Sequence, residues 1–171
     1  MKKLIRVTLV AAAAAALASA LAIAVHAEPA NHGNRLQATF HETNASVTNR
    51  IADLGVFQLI NTGTGTLDGF GAATVTLGVT QDRSVHPCGT GSWTNAAVRR
   101  ITVEAGVLVI RELAYVCQTP SGPVASGTWT VDGASSTGVF ADARGSGEDS
   151  VDLSTATSTL SGRLHLAIDG D

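Results

Sequence analysis

Val107-Leu108-Val109-Ile110-Arg111-Glu112-Leu113-Ala114-Tyr115-Val116-Cys117 is the most apolar strand-like stretch beyond the first 27 residues. Side chains alternate across a strand, so Leu108, Ile110, Ala114 and Val116 share one face. Val107, Val109, Leu113 and Tyr115 share the other. A strand apolar on both faces can line an interior with one of them. The second has to be covered by a loop, the N-terminal segment or another subunit. Residues 98–104 form a second run, and Ala105-Gly106 between the two reads as a tight hairpin.

The same period of two recurs along the chain. It appears in Leu36, Ala38 and Phe40, in Val75, Leu77 and Val79, in Ala125, Gly127, Trp129 and Val131, and in Leu160, Leu164, Leu166 and Ile168. Shorter runs lie at 54–60, 139–143 and 149–153. Residues 42–49 are polar, Asn61-Thr62-Gly63-Thr64-Gly65 carries a turn signal, and 81–95 reads as a loop. Beyond residue 27 there are 18 glycines and 19 threonines, a composition that disfavours helix. Eight or nine strands with short connections predict an all-β fold, a closed antiparallel β-barrel of about eight strands. A two-sheet β-sandwich is the alternative.

Residues 1–27 have the layout of a secretory signal: Lys2, Lys3 and Arg6, then an Ala-rich apolar run ending at Val25-His26-Ala27. Cleavage is expected after Ala27 or after Ala20. Residues 28–171 then form one domain, with 28–64 an N-terminal segment and first strands and 65–171 the remainder of the barrel. That places the protein outside the cytoplasm, secreted or in the cell envelope. Residues 28–171 hold eight arginines, no lysine and fourteen acids, a net charge of −6. Such a balance argues against a nucleic-acid partner and against a membrane surface once the signal is removed.

Cys88 and Cys117 are the only cysteines, and in an exported chain an even count favours a disulfide. If Glu104 faces Val107 in the hairpin, Cys117 falls opposite Thr94, within reach of the loop that carries Cys88. The bridge would close a loop of about 30 residues and contribute about 3–4 kcal/mol.

The pair Arg111 and Glu112 interrupts the most apolar strand. Alternation sends one of the two inward, where a charge needs a partner. Either it orients a ligand inside the barrel or it forms a structural pair with Arg99, Arg100 or Glu104 across the hairpin. Tyr115 and Trp129 are the aromatic candidates for a pocket wall, with core packing as the competing role. Arg111, Glu112, Tyr115 and Trp129 are therefore the ligand-binding candidates. His41-Glu42 and His86-Pro87-Cys88 lack metal-ligand spacing, so no metal site and no cofactor is expected. Asp142, Glu148, Asp149 and Asp152 read as a solvated acidic hairpin. There is no Gly-x-Ser-x-Gly elbow and no phosphate loop with its lysine, and no catalytic residue is assigned.

Gly127-Thr128-Trp129-Thr130-Val131-Asp132-Gly133, then Gly138-Val139-Phe140-Ala141-Asp142-Ala143-Arg144-Gly145-Ser146-Gly147, then Leu160-Ser161-Gly162-Arg163-Leu164 form a connected pattern. It resembles the allene oxide cyclase barrel-like group, which includes the plant dirigent proteins, and within it the secreted bacterial members. The resemblance covers about residues 65–168. Val139 stands where a basic residue is usual, and Asp142 where glycine is usual. The resemblance implies an eight-stranded barrel with a cavity, often trimeric, whose plant members isomerise a fatty-acid epoxide or steer phenol coupling. The glycines of the motif allow tight turns, and Phe140 is expected to fill the interior. Three functions are expected of such a chain. The first is binding of a small apolar ligand in the barrel. The second is a cyclase or isomerase acting through an inward Arg111 or Glu112. The third is a structural or interaction module of the cell envelope, with a homo-oligomer as the accompanying partner.

Overall fold

The computed structural model describes residues 35–51 and 54–167, apart from the side chains of 44 and 45, so the signal segment expected at 1–27 lies outside the described residues. Nine strands occur in this range. They are β1 (Arg35–Ile51), β2 (Val56–Leu67), β3 (Gly71–Asp82), β4 (Trp93–Val103), β5 (Gly106–Thr119), β6 (Gly122–Val131), β7 (Thr137–Gly138), β8 (Arg144–Asp152) and β9 (Thr157–His165). All pairings are antiparallel, in the order β4-β3-β2-β1-β9-β8-β6-β5, and β5 returns to β4. The eight long strands therefore close into a barrel, which removes every long edge. The two-residue β7 continues along β5 beyond the end of β6.

Three local expectations are corrected. Asn61-Thr62-Gly63-Thr64-Gly65 is not a turn but the middle of β2. Its glycines are required by packing: a Cβ on Gly65 would run into the backbone and ring of Phe40 on β1. The turn falls instead at residues 68–70. The polar stretch 42–49 belongs to β1, paired with β2 through two register shifts. Residues 139–143 are not a strand; they make successive tight turns, with Phe140 N–H donating to Thr137 O and Ala143 N–H to Phe140 O.

Those turns plug one end of the barrel. Phe140 is fully buried with its ring centroid 4.8 Å from that of Phe70. Around it pack Leu36, Leu67, Val103, Leu108 and Leu164. Burying each such side chain stabilises the fold by about 1.5–3 kcal/mol relative to exposure. Trp129 lies above this plug, and its indole N–H donates to Glu148 O and Ser161 O at 3.0 and 3.2 Å. Gly147 and Gly162 leave room for the ring, since a Cβ on either would approach Trp129 Cζ2 to 2.7 or 2.5 Å. At this same end Val103 faces Gly106, so the hairpin register is two residues from the simplest expectation. Cys88 and Cys117 are nevertheless joined in a disulfide.

Candidate functional site

Inward positions change character along the barrel axis. On β4 the inward face runs Val103, Ile101, Arg99, Ala97 and Asn95. On β1 it runs Leu36, Ala38, Phe40 and Glu42. The strand period that buries the apolar residues therefore carries Arg99 and Glu42 into the same interior. Glu112 on β5, Asp149 on β8 and Ser158 on β9 arrive by the same rule.

Arg99 is 0% exposed and is the hub of this layer. Its Nε donates to Glu112 Oε1 at 2.5 Å and its Nη2 to Glu112 Oε2 at 3.3 Å. Its Nη1 donates to Glu42 Oε1 and, at 3.0 Å, to Ser158 Oγ. Ser158 in turn donates to Glu42 Oε1 at 2.7 Å. Two bound carboxylates raise the Arg99 pKa further despite the opposing effect of burial. The guanidinium also lies over the Phe40 ring, 5.7 Å from its centroid.

Asp149 is 5% exposed, and its Oδ1 has no hydrogen-bond partner among the described residues. Burial, then the charge of Glu112, pushes its carboxyl up to about 6, with Arg99 pulling the other way. Asn95 Oδ1 is likewise buried without a partner. Both residues line an interior cavity of about 30 Å³, together with Arg99 and Glu112 and the apolar Leu77, Val79, Ala125 and Val151. That is space for one or two water-sized groups.

The sequence candidates separate cleanly. Glu112 points inward and belongs to the polar layer. Arg111 points outward; its side chain is 64% exposed and pairs with Asp132. Tyr115 is on the same outer face, 48% exposed, while Trp129 is buried in the core. Tyr115 and Trp129 therefore lie on opposite sides of the barrel wall and do not form one pocket. Asp149 is not part of a solvated acidic hairpin: Asp142 and Glu148 are exposed and Asp152 is half-buried, but Asp149 is buried. Arg99, Glu42 and Asp149 were not among the ligand candidates. The signal that marks them is parity: each stands two residues from an apolar or glycine position on the inward face. Among the described residues, no group of three His, Cys, Asp or Glu side chains is placed to hold a metal ion, and no helix is long and apolar enough to cross a membrane.

No family model matches the chain, and no curated protein or solved structure is similar to it.

Proposed function

We propose that the protein is an exported β-barrel that binds a small molecule within the barrel, its polar head at Arg99, Glu112 and Asp149. The observation that carries this reading is the polar layer itself. A barrel selected for stability alone would fill this level with apolar side chains, because a buried charge cluster is rarely a net gain. A buried carboxyl raised to about 6 beside a cavity is a feature by which candidate sites are recognised. The cavity holds a head group, and its apolar walls suit the first carbons of a ligand. The disulfide and the signal-like leader support an extracytoplasmic location.

One observation favours a second reading, an isomerase or cyclase of the kind the resemblance implies. Burial raises the Asp149 carboxyl to about 6, and Glu112, bonded to Arg99, lies close enough for its charge to add to that rise. Neighbouring carboxyls in unlike environments are the pairing that general acid–base chemistry uses.

A homo-oligomer is supported by the outer face of β4 and β5, where Val98, Leu113 and Tyr115 are exposed, Leu113 by 68%. Val109 on this face is buried, and its backbone N–H donates to Ser136 Oγ.

Native mass spectrometry of the exported, oxidised protein tests the main reading. A mass increment that vanishes on denaturation is expected. A bare polypeptide mass, with no change in tryptophan emission across a series of short alkyl alcohols, amines and acids, overturns it.

A further inference from the structure

The charges inside the barrel do not balance. Glu42 and Glu112 carry two negative charges against the single positive charge of Arg99. The layer is therefore at −1 with Asp149 protonated and at −2 with it ionised. Every other described arginine is exposed, as are His41, His86 and His165, so nothing else in the described chain supplies positive charge there. Uncompensated charge in a low-dielectric interior is strongly unfavourable and is normally met by a partner or a bound cation.

The hydrogen bonds fail to close in the same direction. Arg99 makes four hydrogen bonds with its five N–H groups, all to Glu42, Glu112 and Ser158 and none to Asp149. Asp149 and Asn95 line the cavity, and the Oδ1 of each has no partner among the described residues. Both open atoms are acceptors. A hydroxyl guest brings one donor and lone pairs of its own. A carboxylate brings acceptors and a further negative charge. An ammonium group brings three donors, no acceptor and the missing charge. Its size also suits a cavity of about 30 Å³, and Leu77, Val79, Ala125 and Val151 are there for the carbons next to it.

We infer that the interior site is built for a protonated primary amine, held by Asp149 and Asn95 beside the Glu112/Arg99 pair. This rests on the interior-binding reading above and names its ligand class. Asp149 is the ion partner, Asn95 the neutral acceptor, and the apolar walls exclude water from the bound head.

The test uses the disulfide-intact protein and three one-carbon probes small enough for the cavity: methylamine, methanol and formate. Each is titrated at pH 7.5, with tetramethylammonium chloride holding ionic strength constant, and followed by NMR shifts and thermal midpoint. Methylamine is expected to bind at least tenfold more tightly than methanol and to raise the midpoint, with formate silent. Asp149→Asn, which keeps the shape and removes the charge, is expected to bring amine and alcohol within about twofold of each other. Alcohol or acid binding as tightly as amine overturns the inference, as does an amine preference that survives in Asp149→Asn. The three-probe comparison on the unaltered protein stands even if the variant folds poorly. Binding of methanol without amine preference removes the amine inference alone. Binding of none of the three also removes it, and the native mass then decides whether interior binding falls as well.

Discussion

Arg99 and Glu112 face each other as a two-pronged ion pair inside the barrel wall, Nε to Oε1 at 2.5 Å and Nη2 to Oε2 at 3.3 Å. Their exposures are 0% and 5%. They come from adjacent strands, and the β4/β5 register sets Glu112 opposite Ala97, one inward step from Arg99. Removing Glu112 strips Arg99 Nε and Nη2 of their acceptors in a dry interior, while Nη1 keeps Glu42 and Ser158. Glu112→Ala is therefore expected to lower unfolding free energy by about 1–3 kcal/mol. Urea denaturation at pH 7 measures it.

Replacing the whole cluster should behave differently. Glu42→Leu, Arg99→Met and Glu112→Leu together remove every charge of the triad along with the cost of burying it. The triple variant is expected to match or exceed the parent in stability, by up to about 4 kcal/mol. A triple variant as unstable as Glu112→Ala would mean that the cluster holds the barrel together.

Asp149 gives a pH dependence of defined sign. Its carboxyl titrates near 3.8 when unperturbed and at about 6 in the folded barrel, among Glu112 on β5, Arg99 on β4 and Glu42 on β1. The folded state binds this proton more tightly than the unfolded one. The resulting stability is complete below 3.8, declines as pH rises toward 6, and stays lost above it. Subtracting the Asp149→Asn curve from the parent curve should isolate a fall between pH 4 and 6. A flat difference would show that this carboxyl is solvated.

The outer pair makes the contrast. Arg111 bonds Asp132 through Nε and Nη2 at 3.0 and 2.6 Å, but in water, and Asp132 is held below its usual range first by that hydrogen bond. Arg111→Ala is expected to change stability by less than about 1 kcal/mol. It should leave amine binding untouched. A large loss in either would bring Arg111 back into the site.

Gly162 is fixed by Trp129. A methyl group there would meet the indole Cζ2 at 2.5 Å and the Gly147 backbone beside it. Gly162→Ala is expected to cost about 1–3 kcal/mol through overpacking. The near-ultraviolet tryptophan signal should change along with the thermal midpoint.

Reduction of Cys88–Cys117 frees a loop of 29 residues' separation. It is expected to lower stability by about 3–4 kcal/mol. Denaturation of Cys88→Ala/Cys117→Ala against the oxidised parent reads this directly.

Composition and period determined the class of this protein. Glycine and threonine in place of helix formers, with apolar residues every second position, specify strands. Enough strands with short connections specify a closed sheet. The same parity determined that one of Arg111 and Glu112 points inward. It also contained the inward direction of Arg99 after Ala97, of Glu42 after Phe40 and of Asp149 after Gly147, because side-chain direction in a strand is a local property. What closure decided was which of these meet. Glu42 and Ser158 are 116 residues apart and are brought to 2.7 Å only because β1 pairs with β9. The turn-like Thr-Gly repeat at 62–65 became mid-strand for a similar reason: its glycines answer to the β1 backbone across the pairing, not to their own neighbours. The choice of Glu112 over Arg111, the unmatched negative charge and the empty acceptors beside it are properties of strand register and barrel closure. No single strand contains them.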